Sequence, residues 1–588
     1  MECSVNFMMD CIRKIHATDR WFSSDKMWRT CRTVESIMGD IGLTEIKTLS
    51  FPSDGKTDFG GWVMPLCWDA EEATLEIVTP DVHEPLLCQY SQTPCSLMLN
   101  SRPADITAEV VMAGSGSSVK GKFVLVTDEF PGLDKTIAWL NQGAAGIISS
   151  FLGGDHFGKT GFEFLNDSCQ WHNYVIPHWR IDGDAVGFSL SPRQGERLSS
   201  LLKDNRKLRL RASVKTRLYP GKLPLVTGLL KGETAEEIII TGHLFEQGAD
   251  DNASGVALAL GIVEAFKNTK LKRGIRLLFT YEARSLQAYL QGDASSFSAV
   301  KAGINVDMVG FSGDKKVSIG GNRPVFPNYS VALLQHIFSG YPEFTTAESD
   351  FGAVDNALGE PQIGVPLPCV LLMDDPHYHK STDVPDTISP ELLGTMAEVI
   401  GQYVSFLGNA GYAEARELAR LVYKAETDRL RKMAGDKGFA LVLAKQSLDS
   451  IKTLAPSTDR LLASLQRKLD AQFKVGTEAP APVIQDADAL QKIVPRKAFR
   501  GFFSFEKYLG RKAEFESIRE VIRPWCAPAW VNYTLMWSDG ERTALEILRM
   551  LLGFGIEVPP KLFIDLLGFM EHEGYLAIGK PLDIRERK

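Results

Sequence analysis

The stretch TGHLFEQGADDNASGVALALGIVEAF, Thr241–Phe266, sets the reading of the whole chain. It follows EEIII, so an apolar run ends in a histidine, His243, and a buried strand is expected to deliver that imidazole at its carboxyl end. An Asp-Asp-Asn turn at 250–252 comes next, and Ala-Ser-Gly then opens a long apolar helix. Neutral imidazole and carboxylates are the donors that a borderline divalent cation such as zinc prefers. A histidine after a strand is by itself most often a packed structural residue. The neighbours of His243 change that weighting.

Beyond the helix, GIRLLFTYEARS places Glu282 just after a second apolar strand. AGINVDMVG brings Asp307 to the end of a third, and PCVLLM is followed by DDPHYHKSTDVPD, which carries His379. From Leu208 to about Leu407 apolar strand-like runs alternate with helices. That alternation predicts an α/β domain: a mixed, largely parallel sheet with helices on both faces. In such a sheet ligands sit outside the carboxyl ends of the strands, where His243, Glu282, Asp307 and His379 are expected to converge.

These residues, with GADDNASG (248–255), NVDMVG (305–310) and YHKSTDVPD (378–386), resemble the clan of zinc exopeptidases that includes bacterial leucyl aminopeptidases, glutamate carboxypeptidase II and the transferrin receptor ectodomain. They span under two hundred residues, in the order that clan shows. The resemblance implies zinc, one or two ions per chain. It implies Asp250 as the carboxylate shared by two metals, the Asp250 to Asp251 peptide as the strained turn, His243 and Asp307 at the first metal, and His379 at the second. It also implies metal-assisted hydrolysis of a peptide or amide bond with Glu282 as general base.

Two positions depart from that pattern. The clan usually carries adjacent glutamates after the third strand, one as base and one as metal ligand, whereas Glu282 is followed by Ala283. Glu282 is therefore either the base, leaving the second metal short of a ligand, or the ligand, leaving no base. The clan also tends to place Asp two residues after the first histidine, to orient its ring. Phe245 stands there, with Glu246 one residue further as a substitute or a metal ligand. Three outcomes stay open: a two-metal site repaired by Glu246 or by another residue such as His377, a one-metal hydrolase, and a site that has lost catalysis.

Tyr378 is a candidate donor to a developing oxyanion, with simple packing as the alternative. Asp355 and Asn356, in FGAVDNALGEPQIGVP, are expected near the substrate, and Asp374 and Asp375 as supporting acceptors or turn residues.

Around this centre the chain divides as follows. Residues 1–107 read as the N-terminal part of the peptidase-like domain, with a helix from about Ser24 to Gly39 and loops around short strands after it. In 108–185, GKFVLV followed by GAAGII resembles the protease-associated domain, a small non-catalytic α/β insert. The catalytic domain runs over 186–410. Residues 411–475 read as a helical hairpin with an apolar stripe at Leu418, Leu421, Val422 and Ala425, and 476–490 as a Pro/Ala-rich linker. Residues 491–588 suggest a winged-helix-like module, two helices and a short hairpin.

Composition closes off other classes. The 588 residues are too many for one ordinary core. No apolar run approaches the roughly 20 residues that span a bilayer, and the N-terminus lacks the marks of a secretory signal, so a cytoplasmic protein without a membrane partner is expected. Nine scattered cysteines without a CxxC pair fit reduced thiols. A formal charge of -8, and an acidic, apolar second helix in the C-terminal module, argue against nucleic acid. Oligomerisation, or covering the active site, suits that module better. The reading is a metal-dependent aminopeptidase-like hydrolase of short peptides or a small amide; the rival is a binding or scaffold protein on the same fold.

Overall fold

Runs of buried Ile, Leu, Val and Phe form the strands Gly274–Thr280, Glu237–His243, Val300–Asp307 and Cys369–Leu372, which lie side by side in parallel in that order. A computed structural model describes residues 3–18, 24–153, 163–172, 175–178, 185–204, 207–292, 297–349, 354–433, 437–473 and 484–579. In it Gly221–Leu230 and then Thr44–Ser53 extend the sheet antiparallel on one side. Lys316–Gly320, antiparallel to Cys369–Leu372, and then Thr345–Ser349 complete eight strands on the other.

The sheet is covered on both faces, as the side-chain alternation along its strands shows. Ile238 and Ile240, with Leu277 and Phe279, join one apolar cluster, whereas Ile239 and Leu278 between them join another. The first cluster is closed by the helices Ala253–Phe266, Val5–His16 and Pro390–Asn409. The second is closed by Glu282–Leu290 together with the C-terminal module. Ala253–Phe266 is apolar all round and almost wholly buried, as a helix sandwiched between sheet and helices must be. Gly255 in its first turn is required by close approach: a Cβ there would meet the Val306 carbonyl at 2.3 Å. The turn that carries Asp250–Asn252 is thereby pressed against the strand that ends at Asp307.

A second sheet of seven strands is larger than the 108–185 insert expected from the sequence. It contains Phe123–Val126, Gly146–Ser149 and Gly187–Ser189, but also Ala104–Met112 and the long antiparallel pair Cys67–Thr79 and Arg209–Tyr219. Those two long strands alternate buried and open positions, so they lack the continuous apolar run that marks the central strands of the eight-stranded sheet. Residues 412–472 form three helices rather than a hairpin: Tyr412–Lys432, Gly438–Asp449 and Asp459–Gln472. The linker expected at 476–490 falls largely outside the described residues, and its end is the short helix Ala487–Leu490.

The C-terminal module holds Ala529–Trp537, Ala544–Gly553 and Pro560–His572. Where the sequence suggested a terminal hairpin, Leu576–Gly579 pairs instead with Val494–Lys497, closing the module on its own beginning. Among the described residues no helix is long and apolar enough to cross a membrane.

Candidate metal centre

Two strand ends, one turn and the loops that follow strands supply the donors. His243 is the last residue of its strand, and its Nδ1 lies against the backbone carbonyl of Phe245. With Nδ1 so engaged, Nε2 faces the site, 3.3 Å from Asp251 Oδ1 and 3.3 Å from Asp307 Oδ1. Opposite, His379 Nε2 lies 3.2 Å from Asp251 Oδ2 and 3.1 Å from Glu246 Oε2. The donors form two groups of three, His243, Asp251, Asp307 and Glu246, Asp251, His379. Asp251 belongs to both, one oxygen to each histidine.

The place common to both donor groups therefore falls to Asp251 and not to Asp250, one residue from the expectation. Asp250 turns away: its Oδ1 accepts the Gly310 amide at 2.6 Å, and its backbone carbonyl accepts the Ser254 hydroxyl at 2.7 Å. The cis peptide likewise lies between Asp251 and Asn252. A buried carboxylate, Asp383, holds this turn by accepting the Asp250 amide at 2.7 Å and the Asp251 amide at 3.1 Å. Asp383 stands inside the STDVPD stretch, and its spacing from the Asp-Asp pair gives no clue that one carboxylate spans both amides.

Glu282 opens the helix Glu282–Leu290 beside these groups and is only partly exposed. Burial, then the charge of Glu246, pushes its carboxyl up to about 8. Burial also lifts Glu246, to about 7, against the pull of His379. Burial by itself would lower the His243 pKa and raise that of Asp251. Asp307 and Asp251 instead lift His243 well above its ordinary value, and the two histidines hold Asp251 well below the carboxylate range. Glu246, Asp251, Glu282 and Asp307 set four carboxylates around two imidazoles in a mostly buried space, so that with all four ionised even doubly protonated histidines would leave negative charge uncompensated. Divalent cations are what this donor set fits, and cations would reverse the upward shifts of the carboxylates.

The backbone is strained around the same groups. Glu246, Glu282, Met308 and His379 have φ of 95°, 31°, 48° and 54°, a region that costs a non-glycine residue on the order of 1 kcal/mol or more and gathers at functional sites. His379 is braced by the second sheet's domain: the Trp171 amide donates to its carbonyl at 2.9 Å, and the two rings lie 5.2 Å apart. The ring of Tyr378 stacks on the His379 imidazole at 3.8 Å. His377 joins neither group of donors; its Nδ1 is 3.0 Å from the Thr382 hydroxyl. Asp375 is buried and accepts the His377 amide at 2.7 Å, supporting the loop. Asp355 belongs to the turn Val354–Gly359, and its side chain lies outside the described part of the chain.

Residues 226–404, within the α/β domain, match the model of peptidase family M28. The chain is similar to an aminopeptidase from Aneurinibacillus sp. strain AM-1, with 20% identity, 68% of this chain and 93% of that one covered, and a TM-score of 0.45. It is similar to a zinc aminopeptidase from Bacillus subtilis, with 15% identity over 69% of this chain and 95% of that one, TM-score 0.49. A peptidase M28 precursor from Shewanella amazonensis, 15% identical over 69% of this chain and 93% of that one, gives a TM-score of 0.52 and shows that the fold is shared. No curated protein matches the chain.

Proposed function

We propose that the chain is a zinc-dependent aminopeptidase-like hydrolase with a two-cation site, acting on short peptides or small amides. The observation that carries this reading is Asp251, whose two oxygens divide between the His243 and His379 groups while Glu282 stands beside them. His243, Asp251 and Asp307 would hold one ion, and Glu246, Asp251 and His379 the other. The family match of residues 226–404 and the zinc of the Bacillus subtilis neighbour support the choice of chemistry and metal. When bound, the ions supply Lewis acidity that polarises the scissile carbonyl and makes a water nucleophilic at neutral pH.

The remaining work falls to side chains of this chain. Glu282 takes the proton of the attacking water and hands it to the leaving amine. Glu246 replaces the carboxylate that Ala283 does not provide. Asp383 fixes the Asp251 carboxylate through two amides, and the Phe245 carbonyl fixes the His243 ring. We place Tyr378 and Asp355 on the substrate side, and read the second sheet's domain as a protease-associated-like cover. Nine free cysteines support a reducing compartment such as the cytoplasm. The scaffold reading loses its motive, since the carboxylate whose absence suggested it has a replacement within the site.

The test is release of free amino acid from a panel of dipeptides and aminoacyl amides. Hydrolysis should stop on chelation and return with zinc. Protein loaded with zinc that cleaves none of the panel would overturn the reading.

A further inference from the structure

The helix that begins with Glu282, together with its C-cap Gln291, carries a second set of polar residues on one side, Arg284, Gln287 and Gln291, spaced at i, i+3 and i+7. All three meet one segment of the C-terminal module, residues 500–506. Arg284 Nη2 donates to Glu506 Oε1 at 2.6 Å, and its Nε to the Val63 carbonyl at 3.2 Å. Gln291 exchanges two hydrogen bonds with the Arg500 backbone, at 2.9 and 3.2 Å. With its amide oriented to satisfy both neighbours, Gln287 donates to the Arg500 carbonyl at 3.1 Å and accepts the Phe502 amide at 2.9 Å. Beside this polar seam, Leu286 and Leu290 share an apolar cluster with Phe502, Phe503 and Phe505.

Glu506 is the hub of the seam. Its side chain is 4% exposed, and its oxygens also meet His178 Nε2 at 2.9 Å and the Val63 amide at 3.1 Å. It thus ties together the second sheet's domain, the 62–63 strand, the C-terminal module and the helix that presents Glu282. Arg284 is 2% exposed and lies beside the packed rings of Trp62 and Trp525, 5.9 and 6.0 Å from their centres. A guanidinium so buried holds its place only with a charged partner. Glu282 sits two residues away, at a φ of 31° that the rest of its helix must enforce.

We propose that Glu506 is a positioning residue: through Arg284 the C-terminal module sets the register of the helix Glu282–Leu290 and so aims Glu282 at the metal centre. This rests on the hydrolase reading above. Neither Arg284 nor Glu506 is a member of the two donor groups.

Glu506→Gln in the full chain keeps the shape and removes the charge. Because a displacement of about 1 Å can cost a hundredfold in rate, kcat should fall by a factor of about ten to a hundred. KM and zinc content should stay within about twofold, Glu506→Asp should recover part of kcat, and hydrogen exchange of the 282–290 amides should speed up. An unchanged kcat overturns the proposal, as does a loss of zinc in parallel with kcat, which would mark a merely structural role. Should the glutamine variant fail to fold, Glu506→Asp carries the test: impaired kcat at full zinc content supports positioning, and wild-type kcat overturns it. Should zinc-loaded wild-type protein hydrolyse nothing, the hydrolase reading fails alone. Exchange at 282–290 then decides: faster in the variant sustains the hold of Glu506 on the helix, and unchanged exchange removes it.

Discussion

The Glu246 carboxylate stands 3.1 Å from Nε2 of His379, carried there by a residue with φ of 95°. It supplies the second group of donors with a carboxylate that the position after Glu282 cannot offer, because Ala283 occupies it. Glu246→Ala should therefore weaken the second zinc ion by more than about a hundredfold and leave the first in place, since loss of a direct ligand exceeds the effect of losing a supporting partner. Zinc titration against a chromophoric chelator reads the two affinities separately. Two unchanged affinities would remove Glu246 from the site.

Asp250 and Asp251 are adjacent and both buried, yet the structure gives them different work. Asp251→Ala should abolish tight binding of both ions. Asp250→Ala should retain two ions and lose stability on the order of 1–3 kcal/mol, because the Gly310 amide is left without its buried acceptor. Metal analysis and thermal melting of the two variants settle the assignment, and the reverse pattern would return the bridge to Asp250.

Glu282→Gln retains size and removes the base. Zinc content should match the wild type, while kcat falls by a factor of about 10²–10⁴, the usual contribution of a general base. Near wild-type turnover at full zinc content would mean that another group takes the proton.

Much of this was legible from residue order. His243, Glu282, Asp307 and His379 stand at or after the ends of apolar strands, and strand ends in a parallel sheet gather in one crevice. The choice between Asp250 and Asp251 was not, because it depends on which carboxylate the turn directs inward, and that is set by Asp383 and the Gly310 amide from distant parts of the chain. The second sheet's long strands were hidden by their alternating exposure, which reads as loop beside the continuous apolar strands of the catalytic domain. The Arg284–Glu506 pair joins residues 222 positions apart, beyond the reach of any local pattern.

The same pair fixes a pH dependence of stability. Burial would raise the Glu506 carboxyl, but Arg284 and His178 hold it down from its ordinary 4.5 to about 2. A group depressed in the folded state contributes its full stabilisation above its unfolded pKa and loses it as pH falls toward the folded value. The window here is from about 4.5 down to 2, worth roughly 3 kcal/mol. His178 works in the same direction, its pKa lowered by burial against the attraction of Glu506. The gap in melting temperature between wild type and Glu506→Gln should shrink as pH drops from 5 toward 3. A gap that stays constant would mean that the ion pair contributes nothing to the docking of the module.

One titration bears on the two-cation site before any other: metal-free protein is supplied with zinc in steps, and peptide hydrolysis and bound metal are followed together. Activity should reach its plateau only at two equivalents per chain, and in Glu246→Ala the second equivalent should no longer bind in that range. A plateau at one equivalent, unchanged in Glu246→Ala, would contradict the site proposed here and leave a single-ion hydrolase in its place.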